Sequence, residues 1–220
     1  MKAITLTNSK YQYMCSKSVK SFLRFNDLPV EIYFIGSEIE NTYLKEYNCY
    51  YINIDNSKIP KGYRWYPEIL KEKLKIFLLQ KEDFLFFDSD VFFYKKLDFN
   101  IFKTGISGVH EYAFPNKDYS MYLNAGFLIF KNFKFYDLKD IEKHFNEKSD
   151  LPEEEFLYRY KEQFNYLDIN ICFLNYSRIP FIYNPSVVHC VGPYKPFINE
   201  KNDPVKRNHY HYNKIYKLNL

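Results

Sequence analysis

Glycine is scarce in this sequence: six residues in 220, with neither GxGxxG nor GxxxxGKS/T anywhere. Gly-rich loops that cradle phosphates are therefore excluded, and a chain that handles phosphate must hold it by another route. Apolar runs are short and broken by Lys, Asp and Asn, and none approaches the roughly 18 residues of a membrane span. Only four cysteines occur, Cys15, Cys49, Cys172 and Cys190, far apart and without CxxC spacing. They read as reduced core residues of a cytoplasmic protein. A secretory leader is not expected, because Met1-Lys2 runs into a six-residue strand-like stretch rather than a long apolar segment.

Aromatic side chains are abundant instead: 22 Phe, 23 Tyr and one Trp, 21% of the chain, within a hydrophobic share of 46%. That composition excludes disordered and collagen-like readings, and 220 residues suffice for one domain with a buried core. The net charge of +4 sits at the C-terminus, since Lys195, Lys201, Lys206, Arg207, Lys214 and Lys217 face only Glu200 and Asp203 after residue 190. With His209, Tyr210, His211, Tyr212 and Tyr216 interleaved, residues 198–220 are expected as a basic, aromatic tail that touches anionic lipid headgroups of a membrane surface or an acidic substrate, or remains solvated. The bias is too small for nucleic-acid binding.

Strand-like and helix-like segments alternate. Residues 2–7, Val30–Ile35 and Cys49–Ile54 predict strands, while Tyr11–Phe25 and Glu38–Tyr47 predict helices. Pro67 opens a further amphipathic helix ending near Gln80, followed by Phe84-Leu85-Phe86-Phe87, a run suited to a strand covered on both faces. Beyond it, Ile106–His110, Ala125–Phe130, Phe181–Tyr183 and Val187–His189 predict strands, and Asp137–Asn146 and Glu153–Gln163 predict helices. The expectation is one α/β domain with a mixed, mostly parallel sheet and a ligand crevice at the carboxyl ends of its strands.

Asp88-Ser89-Asp90 falls at such an end. Two carboxylates one residue apart, beyond a buried strand, suit a hard divalent cation with open positions for substrate phosphates. The plainer alternative is a solvated turn. His189, closing the short strand Val187-Val188, offers an imidazole to the same ion, which favours Mn²⁺ over Mg²⁺. Gly192 permits close backbone approach and Lys195 supplies a point charge for phosphate; alone, this stretch also reads as a partly buried histidine before a Gly-Pro turn.

Taken in order, Thr5-Leu6-Thr7-Asn8 with Tyr11, Lys73-Leu74, Asp88-Ser89-Asp90, Asn124-Ala125-Gly126-Phe127, Phe181-Ile182-Tyr183-Asn184 and His189-x-x-Gly192-x-x-Lys195-Pro196-Phe197 resemble glycosyltransferase family 8 over residues 2–197. The resemblance implies a GT-A fold over residues 1–197 and a metal-dependent hexosyltransferase that takes a UDP-sugar donor to a glycan, lipid-linked or protein acceptor with retention of configuration. It assigns uridine to Leu6, Thr7, Asn8 and Tyr11, the last by stacking on the base. Mn²⁺ or Mg²⁺ falls to Asp88, Asp90 and His189, with Ser89 between them, and the diphosphate to Gly192 and Lys195. Lys73 and Glu111 are expected at the donor, and Asn124, Ala125 and Gly126 along the sugar.

The family's late DQxxLN element, whose Gln lies near the reactive face of the sugar, is not reproduced in the stretch 166–175. One register puts Asn170-Ile171 at that acid–glutamine pair and the other Asp168-Ile169; neither keeps a glutamine. Asp168 and Asn170 are the catalytic candidates there. Two other readings stand beside the transferase: a non-catalytic sugar-nucleotide or glycan-binding module, and a nucleotidyltransferase, for which Thr7-Asn8-Ser9-Lys10 is a poor loop.

Overall fold

The computed structural model describes residues 1–54, 67–111, 120–135, 139–145, 151–175, 181–192, 194–204 and 208–220. The first half alternates β1 (Lys2–Asn8), α1 (Gln12–Phe25), β2 (Val30–Ile35), β3 (Asn48–Ile52), α2 (Pro67–Leu79) and β4 (Phe84–Asp88). The second half contains β5 (Val91–Phe93), β6 (Gly105–His110), β7 (Leu123–Lys131), α3 (Lys139–His144), α4 (Pro152–Leu157), β8 (Phe164–Tyr166), β9 (Cys172–Leu174), β10 (Val187–His189) and α5 (Asn208–Tyr216).

The main sheet has the order β3-β2-β1-β4-β7-β6-β8. Its first four strands are parallel, β7 runs antiparallel to both β4 and β6, and β8 is parallel to β6. Chain order reverses at β1, which lies between β2 and β4. That reversal opens a crevice at the carboxyl ends of β1 and β4, where Leu6 pairs with Asp88. A small second sheet, β5-β10-β9, brings His189 beside Val91, one residue after Asp90.

The continuous apolar run of β4 has the predicted cause. Phe84 and Phe86 enter one buried cluster with Leu74 and Phe77 of α2, while Leu85 and Phe87 enter another with Met14, Val19 and Phe22 of α1. Both faces are covered, so alternation is unnecessary. The aromatic excess fills these layers, with Phe84 stacked on Phe130 at 4.4 Å and Phe22 edge-on to Phe93 at 4.9 Å. Serines on α1 fix the strand after the acidic turn: Ser18 donates to the Val91 carbonyl and Ser21 accepts from the Phe93 N–H at 3.1 Å.

Several elements differ from the sequence expectation. The helix expected at Glu38–Tyr47 is a single 3₁₀ turn, Glu38–Glu40. Side chains capture the N–H groups a helix would need: Gln12 Oε1 accepts from Thr42 and Tyr43, and Asn41 Oδ1 from Leu44. The helix expected over Glu153–Gln163 splits into α4 and a 3₁₀ segment, Tyr158–Gln163, with non-helical dihedrals at Tyr160. Phe181–Tyr183 forms no strand, and Tyr183 is exposed. Leu23 of α1 is exposed as well. Instead of a tail, the chain after residue 198 forms a 3₁₀ turn and α5, whose Tyr212 and Ile215 join the cluster containing Phe93. Lys206 and Arg207, which carry part of the basic surplus, lie outside the described residues.

Candidate active site

A cavity of about 160 Å³ opens at the strand-order reversal, and Asp88, Asp90, Glu111, Asn124, Gly126, His189 and Lys195 all reach it. Asp88 ends β4 and Asp90 begins the turn into β5, so the kink between two strands of different sheets aims both carboxylates at one point. β10 brings His189 to the same place. Ligand atoms of Asp88, Asp90 and His189 lie within 4.8 Å of one another.

The imidazole is oriented by a chain of hydrogen bonds. Glu111 accepts from Asn124 Nδ2 at 2.6 Å, which turns Asn124 Oδ1 toward His189 Nδ1 at 2.9 Å. The Gly126 N–H also donates to that oxygen, at 3.1 Å. Nδ1 therefore carries the proton, and Nε2 faces Asp90 at 3.2 Å and Asp88 at 3.9 Å. Between one ring nitrogen and two carboxylates there must sit either a proton or a cation. Two oxygens, one nitrogen and an outer acceptor on the second ring nitrogen make a donor set that could hold a divalent cation.

Two lysines set the charge around this point. Lys195 donates to Asp90 and, at 2.7 Å, to the Cys190 carbonyl. Burial pushes the Asp90 carboxyl up, but Lys195 and His189 overcome it and hold that group well below the ordinary carboxylate range. Lys73 is buried, bonded to Asp88 at 3.1 Å and to Glu153 at 2.7 Å, with its ammonium 4.6 Å from the centre of the Phe86 ring. Burial disfavours its charge; Asp88 and Glu153 restore it and raise its pKa.

The other predicted residues are distributed as follows. Ala125 and Gly192 line the cavity, and Gly192 has a φ of +91° that other residues rarely adopt. Ser89 bonds the Leu6 carbonyl at 2.8 Å, tying the acidic turn to the end of β1. Leu6 and Thr7 are buried, and Asn8 Oδ1 accepts from the Lys10 and Tyr11 N–H groups at 3.1 and 3.2 Å. Tyr11 is half-buried under the Lys10 ammonium. Asp168 and Asn170 do not reach the cavity: in the turn after β8, Asp168 Oδ1 accepts two bonds from Asn170, both at 2.7 Å.

The wall is completed by two residues that sequence reasoning missed, Glu153 and Glu154 of α4. Burial raises the carboxyl pKa of both, against the opposing pull of Lys73. Their signal was present as Glu153-Glu154-x-x-Leu157, an acidic pair with leucine three residues beyond it, the spacing sought at 166–175. Reading the stretch as one long amphipathic helix concealed it.

The sequence matches no family model and no curated protein. Solved structures do match. One is an active-site mutant of LgtC, at TM-score 0.70 and 15% identity, covering 99% of this chain and 95% of that one. The chain has a GT-A glycosyltransferase fold. LgtC as a galactosyltransferase in complex with donor and acceptor sugar analogs matches at TM-score 0.68 and 15% identity, over 98% and 95% of the two chains. Streptococcus pneumoniae GlyE, a glycosyltransferase, matches in its apo form at TM-score 0.61 and 17% identity; all but 3% of this chain aligns with 61% of GlyE. In this GT-A chain, the acidic turn, His189 and Lys195 converge at the strand-order reversal. No helix among the described residues is long and apolar enough to cross a membrane.

Proposed function

We propose that this protein is a metal-dependent glycosyltransferase that moves a hexose from UDP to a glycan or glycoconjugate acceptor with retention of configuration. The observation that carries the reading is the convergence of Asp88, Asp90 and an Asn124-oriented His189 beside Lys195. Such a site has a use when a diphosphate must be held and its charge neutralised.

A bound Mn²⁺ or Mg²⁺ would act as a Lewis acid on the departing diphosphate. Asp88, Asp90 and His189 would hold it, with Glu111 and Asn124 fixing the imidazole. Lys195 exchanges its bond to Asp90 for one to phosphate, stabilising the charge that develops as the sugar–phosphate bond breaks. Gly192, with no side chain and a positive φ, leaves its N–H open to a phosphate oxygen. Lys73 stays with Asp88 and Glu153, keeping both side chains at the donor. Leu6, Thr7, Asn8 and Tyr11, at the end of β1, form the uridine side, with the Tyr11 ring available for stacking. Asn124, Ala125 and Gly126 lie along the sugar.

The test is a hydrolysis screen of UDP-, GDP- and dTDP-sugars with Mn²⁺ present. Slow release of UDP from one donor supports the reading and names the sugar; binding of a UDP-sugar without turnover would favour a non-catalytic module.

A further inference from the structure

Lys195 is fixed by a turn with an unusual backbone. Among the described residues three other than glycine have positive φ, and two of them, Asn132 and Asn219, are of the type that tolerates it. The third is Phe197, at φ +65°. A bulky side chain in that region persists only where its surroundings dictate it. The reversal at Phe197 closes the chain on Lys195. The Ile198 and Asn199 N–H groups donate to the Lys195 carbonyl at 3.3 and 3.1 Å, and the Lys195 N–H donates to Asn199 Oδ1 at 2.7 Å. Both backbone polar groups of the lysine are thus engaged inside the turn, and its ammonium is directed to Asp90 and the Cys190 carbonyl.

The contacts that dictate the reversal come largely from α5. The Phe197 N–H donates to Tyr216 Oη at 3.2 Å, and that hydroxyl donates in turn to Glu200. The Tyr216 ring stands edge-on to Phe197 at 4.8 Å, Tyr13 of α1 is edge-on to the same ring at 5.9 Å, and Phe92, two residues after Asp90, lies at 6.2 Å. One helical turn before Tyr216, Tyr212 Oη donates to Asp203 at 2.8 Å and sits 3.3 Å from the Tyr194 carbonyl. One face of α5 therefore grips the segment 194–203 at both ends. Tyr216 itself does not line the cavity. We infer that Tyr216 is a positioning residue for the diphosphate: it holds the Phe197 turn and, through that turn, keeps the Lys195 ammonium in register with Asp90. The inference rests on the donor-site reading above, in which Lys195 meets the phosphates. It makes α5, whose sequence reads as a basic tail, a working part of the donor site.

The experiment is calorimetric titration of UDP and of uridine, each with Mn²⁺ present, into the wild type, Y216F, N199A, K195M and the double variant Y216F/K195M. Y216F deletes one oxygen from a side chain at the protein surface, and N199A reaches the same turn without a change in α5. Expected is UDP binding weaker by about five- to tenfold in Y216F and in N199A, the effect of one lost hydrogen bond, with uridine bound as by the wild type. On a K195M background Y216F should weaken UDP no further, because the residue through which it acts is gone. Equal losses for UDP and uridine in both single variants would overturn the inference, since they would report a general loosening of the fold. So would an additional loss in the double variant, or unchanged UDP affinity in either Y216F or N199A. A wild type that binds no UDP, or a K195M protein that binds it as tightly as the wild type, is a failure of the donor-site reading itself, and takes this inference with it.

Discussion

A methyl group on Gly126 would lie 2.0 Å from Cε1 of His189, so the ring stands where any other residue at 126 would place its side chain. The Gly-His pair makes the placement of the imidazole beside Asp88 and Asp90 dependent on a position outside that cluster. In G126A the imidazole must move, breaking its bond to Asn124. We expect Mn²⁺ affinity to fall by about 10–100-fold, the usual cost of losing an orienting partner. Adding G126A to H189A should cost nothing further in metal affinity; a second, additive loss in the double variant would show that Gly126 acts by another route.

Lys73 is the cation that lets Asp88 and Glu153 share one buried corner. K73M keeps the length of the side chain and removes the charge. Breaking a buried pair from one side should destabilise the fold by on the order of 3 kcal/mol. The loss should be smaller at pH 5 than at pH 8, since Glu153, whose pKa burial already raises, can then take up a proton. Denaturant melts at the two pH values test this, and a loss independent of pH would contradict it.

Much of the parallel half of the sheet was legible because its signals are local. β4 is apolar on both faces and α2 opens on a proline with an amphipathic stripe behind it. The acidic turn was legible for the same reason: a polar tripeptide after four apolar residues stands out. What was hidden depended on side chains acting across the chain. Gln12 and Asn41 unmake a helix at 41–47 by taking its backbone donors, and nothing in the local pattern shows this. Glu153 and Glu154 read as the solvated face of a helix, since their burial arises only when α4 packs against α2 and β7. Residues 208–216 read as a basic tail because the buried members, Asn208, His211, Tyr212 and Ile215, are interspersed with more exposed ones.

His211 has no place in the site, yet it should govern acid stability. Its ring is fully buried 5.0 Å from Phe173 and Phe181, and burial, with help from Lys214, lowers its pKa to about 4 from an ordinary 6.5. Between those values the unfolded chain binds a proton that the folded chain refuses, so stability falls as pH drops through the window. This group should contribute about 2 kcal/mol of that loss between pH 7.5 and 5. H211F should lose correspondingly less stability over the same interval; identical pH slopes for the two proteins would contradict the assignment.

The central claim is that Asp88, Asp90 and His189 hold a divalent ion against a nucleoside diphosphate. Calorimetric titration of UDP into the wild type, once with Mn²⁺ and once with EDTA, tests it most directly, with D90N as the comparison. The account predicts that EDTA weakens UDP binding at least about tenfold, equivalent to roughly 1.4 kcal/mol, and that D90N binds UDP as weakly with Mn²⁺ as the wild type does without it. Equal UDP affinity in Mn²⁺ and EDTA would contradict it.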